Sequence, residues 1–317
     1  RPIPPELLAE MARKGMKPNS PMFVRIYKQE SELELWKPKA DGTYALLKTY
    51  PICRWSGQLG PKTREGDRQT PEGFYTVTPR QMNPNSQFYL SFDLGYPNTY
   101  DRAHDRTGAA LMVHGVCSSR GCYAMTDEQI AEIYAVARES FAAGNLAFQV
   151  QALPFRMTAE NLARHRKAPD IAFWKNLKEG VDHFDATAKP PRVEVCGKRY
   201  VFNAKPSGEG QKFVSTESCP QYEIDPDVAM KVAALRLKEE SRIADLVRSG
   251  TPAVRVIYED GGMNVAFKRT IANPDGTSTT AFRIKEVSRP EALMQSPRVI
   301  TLEGALKDTE LSSFLPE

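Results

Sequence analysis

The alternation of apolar and polar residues divides the first half of the chain into short β-strands and one amphipathic helix. Runs in which every second residue is apolar, bounded by Gly, Pro, Asn or Asp, are typical of strands that bury one face. The segment at 126–143 instead repeats its apolar residues at helical spacing, and Thr126 followed three residues later by Gln129 predicts a helix start. The predicted strands are MFVRIYK (22–28), SELELWKP (31–38), YALLKTYPICR (44–54), GFYTVTP (73–79), FYLSFDLG (88–95), AALMVHG (109–115) and LAFQVQALPF (146–155).

Helical patterns also occur outside this strand-rich region. In the longest of them the apolar residues, among them Val228, Val232 and Leu235, fall broadly at helical spacing. Two glycines, Gly15 and Gly250, are stop signals at the C-terminal ends of the first and the last of the helical segments given next. We therefore predict further helices at 4–15, 158–166, 170–182 and 225–250.

The character of the chain changes after the Pro-Pro pair at 190–191. A strand-like segment (193–202) and a Gly/Ser/Pro-rich loop (204–218) precede the long helix. After that helix, AVRVIYED, GGMNVAFKRT and TTAFRIKEV alternate like a small antiparallel sheet, with GG and NPDG as turns. We predict an α+β protein, mainly β, that consists of an N-terminal helical segment (1–20), a central domain (21–190) and a C-terminal α+β extension (191–317).

Composition and charge limit the functional classes to which this protein can belong. The chain has 317 residues, 41% of them hydrophobic, which is enough to build a sizeable core. The net charge of +4 is dispersed, which argues against a dedicated nucleic-acid binder and suits an anionic polymer. No run of 18 apolar residues occurs, so we expect no membrane-spanning segment. The chain opens with RPIPPELLAEMARKG, without Met, so we expect an exported protein whose leader has been removed.

Five cysteines bear on the cellular compartment: Cys53, Cys117, Cys122, Cys196 and Cys219. An odd number fits one free thiol and up to two disulfides in an oxidising periplasm, with Cys196 and Cys219 as the first pair to examine. The alternative is that all five are buried and reduced, because spacing alone does not fix connectivity.

The segment HGVCSSRGC (114–122) carries the strongest chemical signal. His114 lies eight positions before Cys122, and an imidazole is the side chain best suited to take a thiol proton near neutral pH. The backbone N–H groups near Gly121 and Cys122 are candidates for stabilising an oxyanion. Ser119 could bond the loop or a substrate, or could be a turn residue that caps its own backbone. The predicted helix starts shortly after Cys122, and its positive end favours a thiolate nucleophile.

Several motifs in the same order resemble the YkuD-type L,D-transpeptidases, bacterial cell-wall enzymes with a cysteine nucleophile. They are the His-Gly and Ser-x-Gly-Cys elements of 114–122, GDRQTPEGFYTV (66–77), FDLGYPNTYDRAHDRTG (92–108) and GCYAMTDEQI (121–130). The last two are similar to the YafK-like branch, as is Arg120, which stands where more typical members have a histidine. The resemblance covers roughly 20–190 and implies a YkuD-like β-sandwich with flanking helices as the catalytic domain.

The resemblance implies an acyl-enzyme reaction on peptidoglycan stem peptides in the periplasm, without a cofactor. If an amine captures the thioester formed on Cys122, the protein is an L,D-transpeptidase. If water captures it, the protein is an amidase that cleaves a diaminopimelate-linked amide and releases an outer-membrane protein or lipoprotein from peptidoglycan. A third class stays open, namely a cell-wall binding module without turnover, although the His114 and Cys122 pair counts against it.

The remaining candidates each have a less specific alternative. Arg120 and Arg102 could hold substrate carboxylates by bidentate pairing, or could be solvated surface residues. His104 lies on a polar segment and is either a site residue or a surface histidine. The set His114, Cys117 and Cys122 matches no common zinc spacing, so no metal is expected, and Cys117 is interpreted as a loop residue. The group that orients His114 is a backbone carbonyl or an acid that the sequence does not identify.

Overall fold

Two β-sheets form the framework around which the first half of the chain folds. The computed structural model describes residues 1–267 and 296–302. Nine strands build the two sheets, and each matches an alternating or short apolar segment except β5 and β8, which the pattern does not predict. In chain order they are β1 (Phe23–Tyr27), β2 (Glu32–Pro38), β3 (Tyr44–Pro51), β4 (Gly73–Val77), β5 (Met82–Ser86), β6 (Tyr89–Asp93), β7 (Met112–His114), β8 (Tyr123–Ala124) and β9 (Phe148–Leu153).

The larger sheet has the strand order β3-β2-β1-β9-β4, and the smaller one has the order β5-β6-β7-β8. Strands β1 and β9 run parallel although the whole smaller sheet lies between them in sequence. Strands β7 and β8 are also parallel. The two sheets meet where Phe92 on β6 packs against Phe148 on β9, with ring centroids 5.5 Å apart. Mixed sheets with flanking helices confirm the predicted α+β class.

Helix α3 (Asp127–Ala142) packs against β6 and β7 of the smaller sheet, and its start signal, the strongest in the sequence, is confirmed. The Thr126 side chain accepts a hydrogen bond from the Gln129 N–H, and the Gln129 side chain accepts one from the Thr126 N–H. This capping box satisfies donors that the first helical turn leaves without partners. The helices are α1 (Pro5–Arg13), α2 (Thr99–Ala103), α3 (Asp127–Ala142), α4 (Ala159–His165), α5 (Ile171–Thr187) and α6 (Pro226–Arg248).

The chain divides into two compact units. The first contains residues 1–154 and a segment that begins at Tyr258, and the second contains Phe155–Ile257 and a segment that begins at Arg298. This division falls after Pro154, whereas the sequence pattern places the boundary at 190–191; the three-part division predicted from sequence stays a prediction. The second unit contains three two-stranded sheets, made by β10 (Val193–Cys196) with β11 (Arg199–Phe202), β12 (Ala204–Pro206) with β13 (Tyr222–Ile224), and β14 (Val254–Ile257) with β15 (Arg298–Thr301).

One predicted strand of the extension is wrong. The segment AVRVIYED contains β14 as expected, but the following GGMNVAFKRT is helical at 265–267. The Asn264 Oδ1 accepts a hydrogen bond from the Ala266 N–H at 3.0 Å, a local bond that favours a turn over a strand. The third predicted strand, TTAFRIKEV, and the NPDG turn lie outside the described residues.

Among the helices that the structure describes, none combines the length and the apolar content needed to cross a lipid bilayer.

Candidate active site

The parallel pair β7 and β8 brings His114 and Cys122 onto neighbouring chain segments. Val113 is paired with Tyr123 and His114 with Ala124, and Cys122 comes directly before β8. The Met112 N–H donates a hydrogen bond to the Cys122 Sγ at 3.4 Å, which continues the same register by one step. His114 lies two residues beyond Met112 on the same strand, about 7 Å along it. The imidazole and the thiol are thus both placed by the short strand β7.

His114 is held as a neutral base. Its side chain is buried, and its Nδ1 lies 2.6 Å from the Gly115 carbonyl oxygen. A carbonyl only accepts hydrogen bonds, so Nδ1 carries the proton and Nε2 keeps its lone pair. Burial lowers the pKa of His114, and the bond to the Gly115 carbonyl opposes this effect. Of the two orienting groups that the sequence leaves open, the structure supplies the backbone carbonyl.

Cys122 rests as a thiol. Burial raises the pKa of the Cys122 thiol, and the hydrogen bond from the Met112 N–H opposes this effect. The thiol also donates a hydrogen bond to the Ala110 carbonyl at 3.7 Å. Helix α3 begins at Asp127, directly after the predicted N-cap Thr126, and β8 lies between Cys122 and this helix start. The thiolate nucleophile stays a prediction.

Ser119 organises the loop before the thiol. Its Oγ accepts hydrogen bonds from the N–H groups of Gly121 and Cys122, both at 3.1 Å, and donates one to the Cys122 carbonyl at 2.6 Å. The buried Ser56 hydroxyl donates to the Ser119 Oγ at 2.8 Å. The structure thus supports the turn-residue interpretation of Ser119. The same two N–H groups, of Gly121 and Cys122, are the predicted oxyanion donors; both donate to the Ser119 Oγ here, and their oxyanion role stays a prediction.

Gly121 is required by its backbone conformation. Its φ is +135°, a region that side-chain-bearing residues rarely adopt. A Cβ at this position would also lie 3.4 Å from the Leu111 side chain. That distance is an ordinary van der Waals contact, so the backbone conformation, and not crowding, is what favours glycine here.

The three predicted substrate-binding residues have different surroundings. Arg120 is exposed, and within 1–267 and 296–302 it has no hydrogen-bond or ion-pair partner. The Arg102 guanidinium instead donates to the Pro97 carbonyl and, at 3.5 Å, to the Thr99 hydroxyl. His104 is the C-cap residue of α2, and its ring lies 4.4 Å from that of Tyr100. Of the three, Arg120 is the one next to the loop glycine and available for a ligand.

Two charged residues near the thiol were not predicted. Asp93 on β6 lies opposite Met112 on β7, and Lys62 is buried with its Nζ 2.5 Å from the Asp67 carboxylate. Asp93 raises and Lys62 lowers the pKa of Cys122, both less than burial does. They lie 29 and 60 positions before Cys122 in the chain, so no local motif connects them with it.

Two disulfides account for the other cysteines. Cys196 is bonded to Cys219, as the sequence analysis indicated, and their Cα atoms are 5.0 Å apart. Cys53 is bonded to Cys117, with a Cα separation of 5.3 Å. Cys117 is thus a loop residue but not an isolated one, and its sulfur is not available as a thiolate ligand for zinc. Cys122 keeps a free thiol.

Comparisons with known proteins agree on one family for the first unit. The YkuD L,D-transpeptidase catalytic domain matches residues 14–143. A protein of Escherichia coli (strain K12), "Putative L,D-transpeptidase YafK", is 45% identical over 190 residues, which cover 60% of this chain and 77% of that protein. The same values hold for its counterpart in Escherichia coli O157:H7.

Similar solved structures overlap with this chain only in part. The helical cell shape determining protein Pgp2 (K307A mutant) from Campylobacter jejuni is 20% identical, with a TM-score of 0.36. The match covers 57% of this chain and 64% of Pgp2, just under two thirds of that protein. Bdellovibrio bacteriovorus Bd1075 is 19% identical with a TM-score of 0.30, over 43% of this chain and 49% of its own.

Proposed function

We propose that this chain, which belongs to the YkuD family of L,D-transpeptidase catalytic domains, is a cysteine-dependent acyltransferase acting on peptidoglycan stem peptides. The observation that carries the proposal is the free thiol of Cys122, which accepts a hydrogen bond from the first residue of β7, the strand that ends at the buried His114. The Nδ1 of His114 is held by a backbone carbonyl, so one strand brings together a candidate nucleophile and an oriented candidate base.

The first half-reaction follows from the resting proton state. The Nε2 of His114 takes the thiol proton while the Cys122 Sγ attacks the amide carbonyl of a stem peptide, forming a C–S bond and a tetrahedral oxyanion. Collapse of this intermediate breaks the C–N bond. The imidazolium of His114 returns its proton to the leaving amine, and a thioester remains on Cys122.

The second half-reaction decides the product. An acceptor amine loses a proton to His114 as it attacks the thioester, and a new C–N bond forms. The C–S bond then breaks, and the His114 imidazolium returns the proton to the Cys122 sulfur. This is the transpeptidase outcome, and we propose it as the main one. Water in place of the amine gives an amide hydrolase with the same residues, because the partition depends on access to the thioester and not on the catalytic pair.

We propose that the exposed Arg120 binds a carboxylate of the substrate. Diaminopimelate and D-alanine carry carboxylates close to the amide bonds of a stem peptide, and a guanidinium binds such a group with two parallel hydrogen bonds. Arg120 precedes Gly121 and Cys122 directly, so a carboxylate held there lies beside the thiol. The resemblance assigns the substrate class, and the free guanidinium supports it.

We also propose a periplasmic location. Two disulfides join four of the five cysteines in the chain. Such bonds persist in oxidising compartments and are rare in the bacterial cytosol. Peptidoglycan, the proposed substrate, lies on the same side of the inner membrane.

The proposal is tested with isolated sacculi, some carrying covalently attached protein, followed by mass analysis of the muropeptides. The wild-type protein should form new diaminopimelate–diaminopimelate bridges or exchange terminal residues, while Cys122→Ala and His114→Ala should not. Loss of attached protein or of bridges without new bonds, absent in Cys122→Ala, would assign the hydrolase and overturn the transpeptidase proposal. Identical muropeptides with wild-type protein and Cys122→Ala would contradict catalysis altogether.

A further inference from the structure

The peptide group between Gly115 and Val116 is held at both ends. Its carbonyl accepts the hydrogen bond from His114 Nδ1 at 2.6 Å, and its N–H donates to the Oδ1 of Asp127 at 2.9 Å. The C=O and N–H of one peptide lie in one plane and point in opposite directions. The Asp127 carboxylate, which fixes the N–H, therefore also fixes the direction of the carbonyl that orients His114.

The two residues after this peptide have an unfavourable backbone conformation, which contacts such as the Asp127 hydrogen bond stabilise. Val116 and Cys117 have φ values of +66° and +49°, a left-handed conformation that is unfavourable for a β-branched residue. Cys117 is tied by its disulfide to Cys53 and by its N–H to the Met125 carbonyl at 3.2 Å. Those two ties act one residue further along the chain, whereas Asp127 contacts the peptide that holds the imidazole.

The absence of a side chain at Gly115 is a second, independent observation. A Cβ built at Gly115 would lie 2.6 Å from the Asp127 Oδ1 and 2.9 Å from the Phe88 carbonyl oxygen. Both distances are too short for real contacts, so any larger residue would push the carboxylate away from the peptide. The close approach of Asp127 to this turn therefore depends on glycine.

We propose that Asp127 is a positioning residue for the base His114 and acts through the Gly115–Val116 peptide; this inference rests on the proposed function. A carboxylate that accepts from the N–H polarises the peptide and makes its carbonyl a stronger acceptor for the imidazole. When His114 takes the thiol proton, that carbonyl stabilises the imidazolium. A peptide group thus stands between the histidine and the acid, which contact each other directly in a Ser-His-Asp triad.

Three other side chains at the site, those of Phe88, Lys62 and Asp93, do not contact the Gly115–Val116 peptide through a hydrogen bond. The ring of Phe88 packs on His114 with centroids 4.6 Å apart and carries no charge. Lys62 and Asp93 act electrostatically on Cys122. Glu128 is the next residue of the same helical turn, and it is exposed. Replacing Glu128 thus removes an equal charge from the start of α3 without touching the peptide that holds His114.

The test compares Asp127→Ala, which loses both the acceptor and the charge, with Asp127→Asn, which keeps an acceptor oxygen. Glu128→Gln is the matched control. The imidazole nitrogens of His114 are observed by ¹⁵N NMR without substrate, and kcat and KM are measured on stem peptides. Asp127→Ala should lower kcat at least tenfold with KM within twofold and convert the single Nδ1–H tautomer into a mixture. Asp127→Asn should keep the tautomer and lose less activity, and Glu128→Gln should match the wild type.

An unchanged tautomer in Asp127→Ala together with a kcat within twofold of the Glu128→Gln value would overturn the proposal. If Asp127→Ala does not fold, Asp127→Asn decides: His114 nitrogen shifts and kcat identical to the wild type would also overturn it. The two proposals fail separately, because the tautomer is read without substrate. If the wild-type protein is inactive on sacculi, the proposed function is overturned. The positioning role of Asp127 would still stand if Asp127→Ala changes the His114 tautomer.

Discussion

Burial sets the proton state of both reacting side chains at the proposed site. It lowers the pKa of His114 and raises that of the Cys122 thiol, so both groups are neutral near pH 7. A neutral pair transfers its proton during the attack and not before it, which makes the direction of the imidazole decisive. The hydrogen bond from His114 Nδ1 to the Gly115 carbonyl is therefore as much a part of the proposed chemistry as the thiol itself.

Arg120 offers a test of substrate binding at the scale of one residue. Arg120→Ala should lower kcat/KM for stem peptides about tenfold, since one hydrogen bond to a charged group contributes about 1.5 kcal/mol. Arg102→Ala is the matched control, because that guanidinium is engaged by Pro97 and Thr99 and its loss should change kcat/KM less than twofold. Equal losses in both variants, measured by steady-state kinetics on one stem peptide, would contradict the assignment.

The sequence points to the two residues of the proposed pair but not to the groups that surround them. His114 and Cys122 are only eight positions apart, so their chemistry is visible in one motif. Asp93 comes near Cys122 through the pairing of β6 with β7, and Lys62 comes from the segment between β3 and β4, 60 positions before Cys122. The role of Gly115 depends on a carbonyl direction, which no residue type reveals.

At the scale of elements, periodic apolar patterns predict the helices and strands that bury one face, and they miss short elements without such a face. The helix with the capping box at Thr126 has the start signal in its sequence and an apolar stripe that the core buries. Strand β5 reads MNPNS and is half-buried or exposed throughout, so no alternation marks it. Helix α2 is five residues long and is fixed by the Asn98 side chain, which accepts from the Asp101 N–H. Polar capping, not periodicity, forms such short elements.

The Cys53–Cys117 disulfide ties the loop between His114 and Cys122 to the segment after β3. Its removal in Cys53→Ala/Cys117→Ala frees a closed loop of 64 residues, which costs about 4 kcal/mol of unfolding free energy in the chain-entropy model. We expect this variant also to lose most of its activity, because Cys117 lies within the loop that joins His114 to Cys122. Denaturant unfolding and turnover on stem peptides measure the two effects.

The second disulfide provides the control for that experiment. Cys196→Ala/Cys219→Ala removes a bond of 23-residue separation in the other unit, far in sequence from the proposed site. It should lower stability while keeping activity within twofold of the wild type. Equal loss of activity in the two double variants would show that the Cys53–Cys117 bond has no particular role at the site.

At the scale of the whole molecule, the proposed chemistry lies in one unit. The family match at 14–143 falls within the first unit, together with His114, Cys122 and Asp127. The same unit also includes the segment that begins at Tyr258. In this segment the backbone of Gly262 forms two hydrogen bonds with that of Trp55, at 3.0 and 3.1 Å. Some 200 residues separate these partners. Local patterning cannot predict such a return, so the extension predicted at 191–317 includes residues from Tyr258 onward that the structure groups with the first unit.

The central claim is that Cys122 is the nucleophile, and acylation by a carbapenem followed by intact-mass measurement tests it most directly. The strained lactam carbonyl stands in for the amide of a stem peptide. Cys122 keeps a free thiol, whereas the other four cysteines form two disulfides. We predict one covalent adduct per wild-type chain near neutral pH and none on Cys122→Ala. An unmodified wild-type protein, or an adduct that persists in Cys122→Ala, would contradict the account.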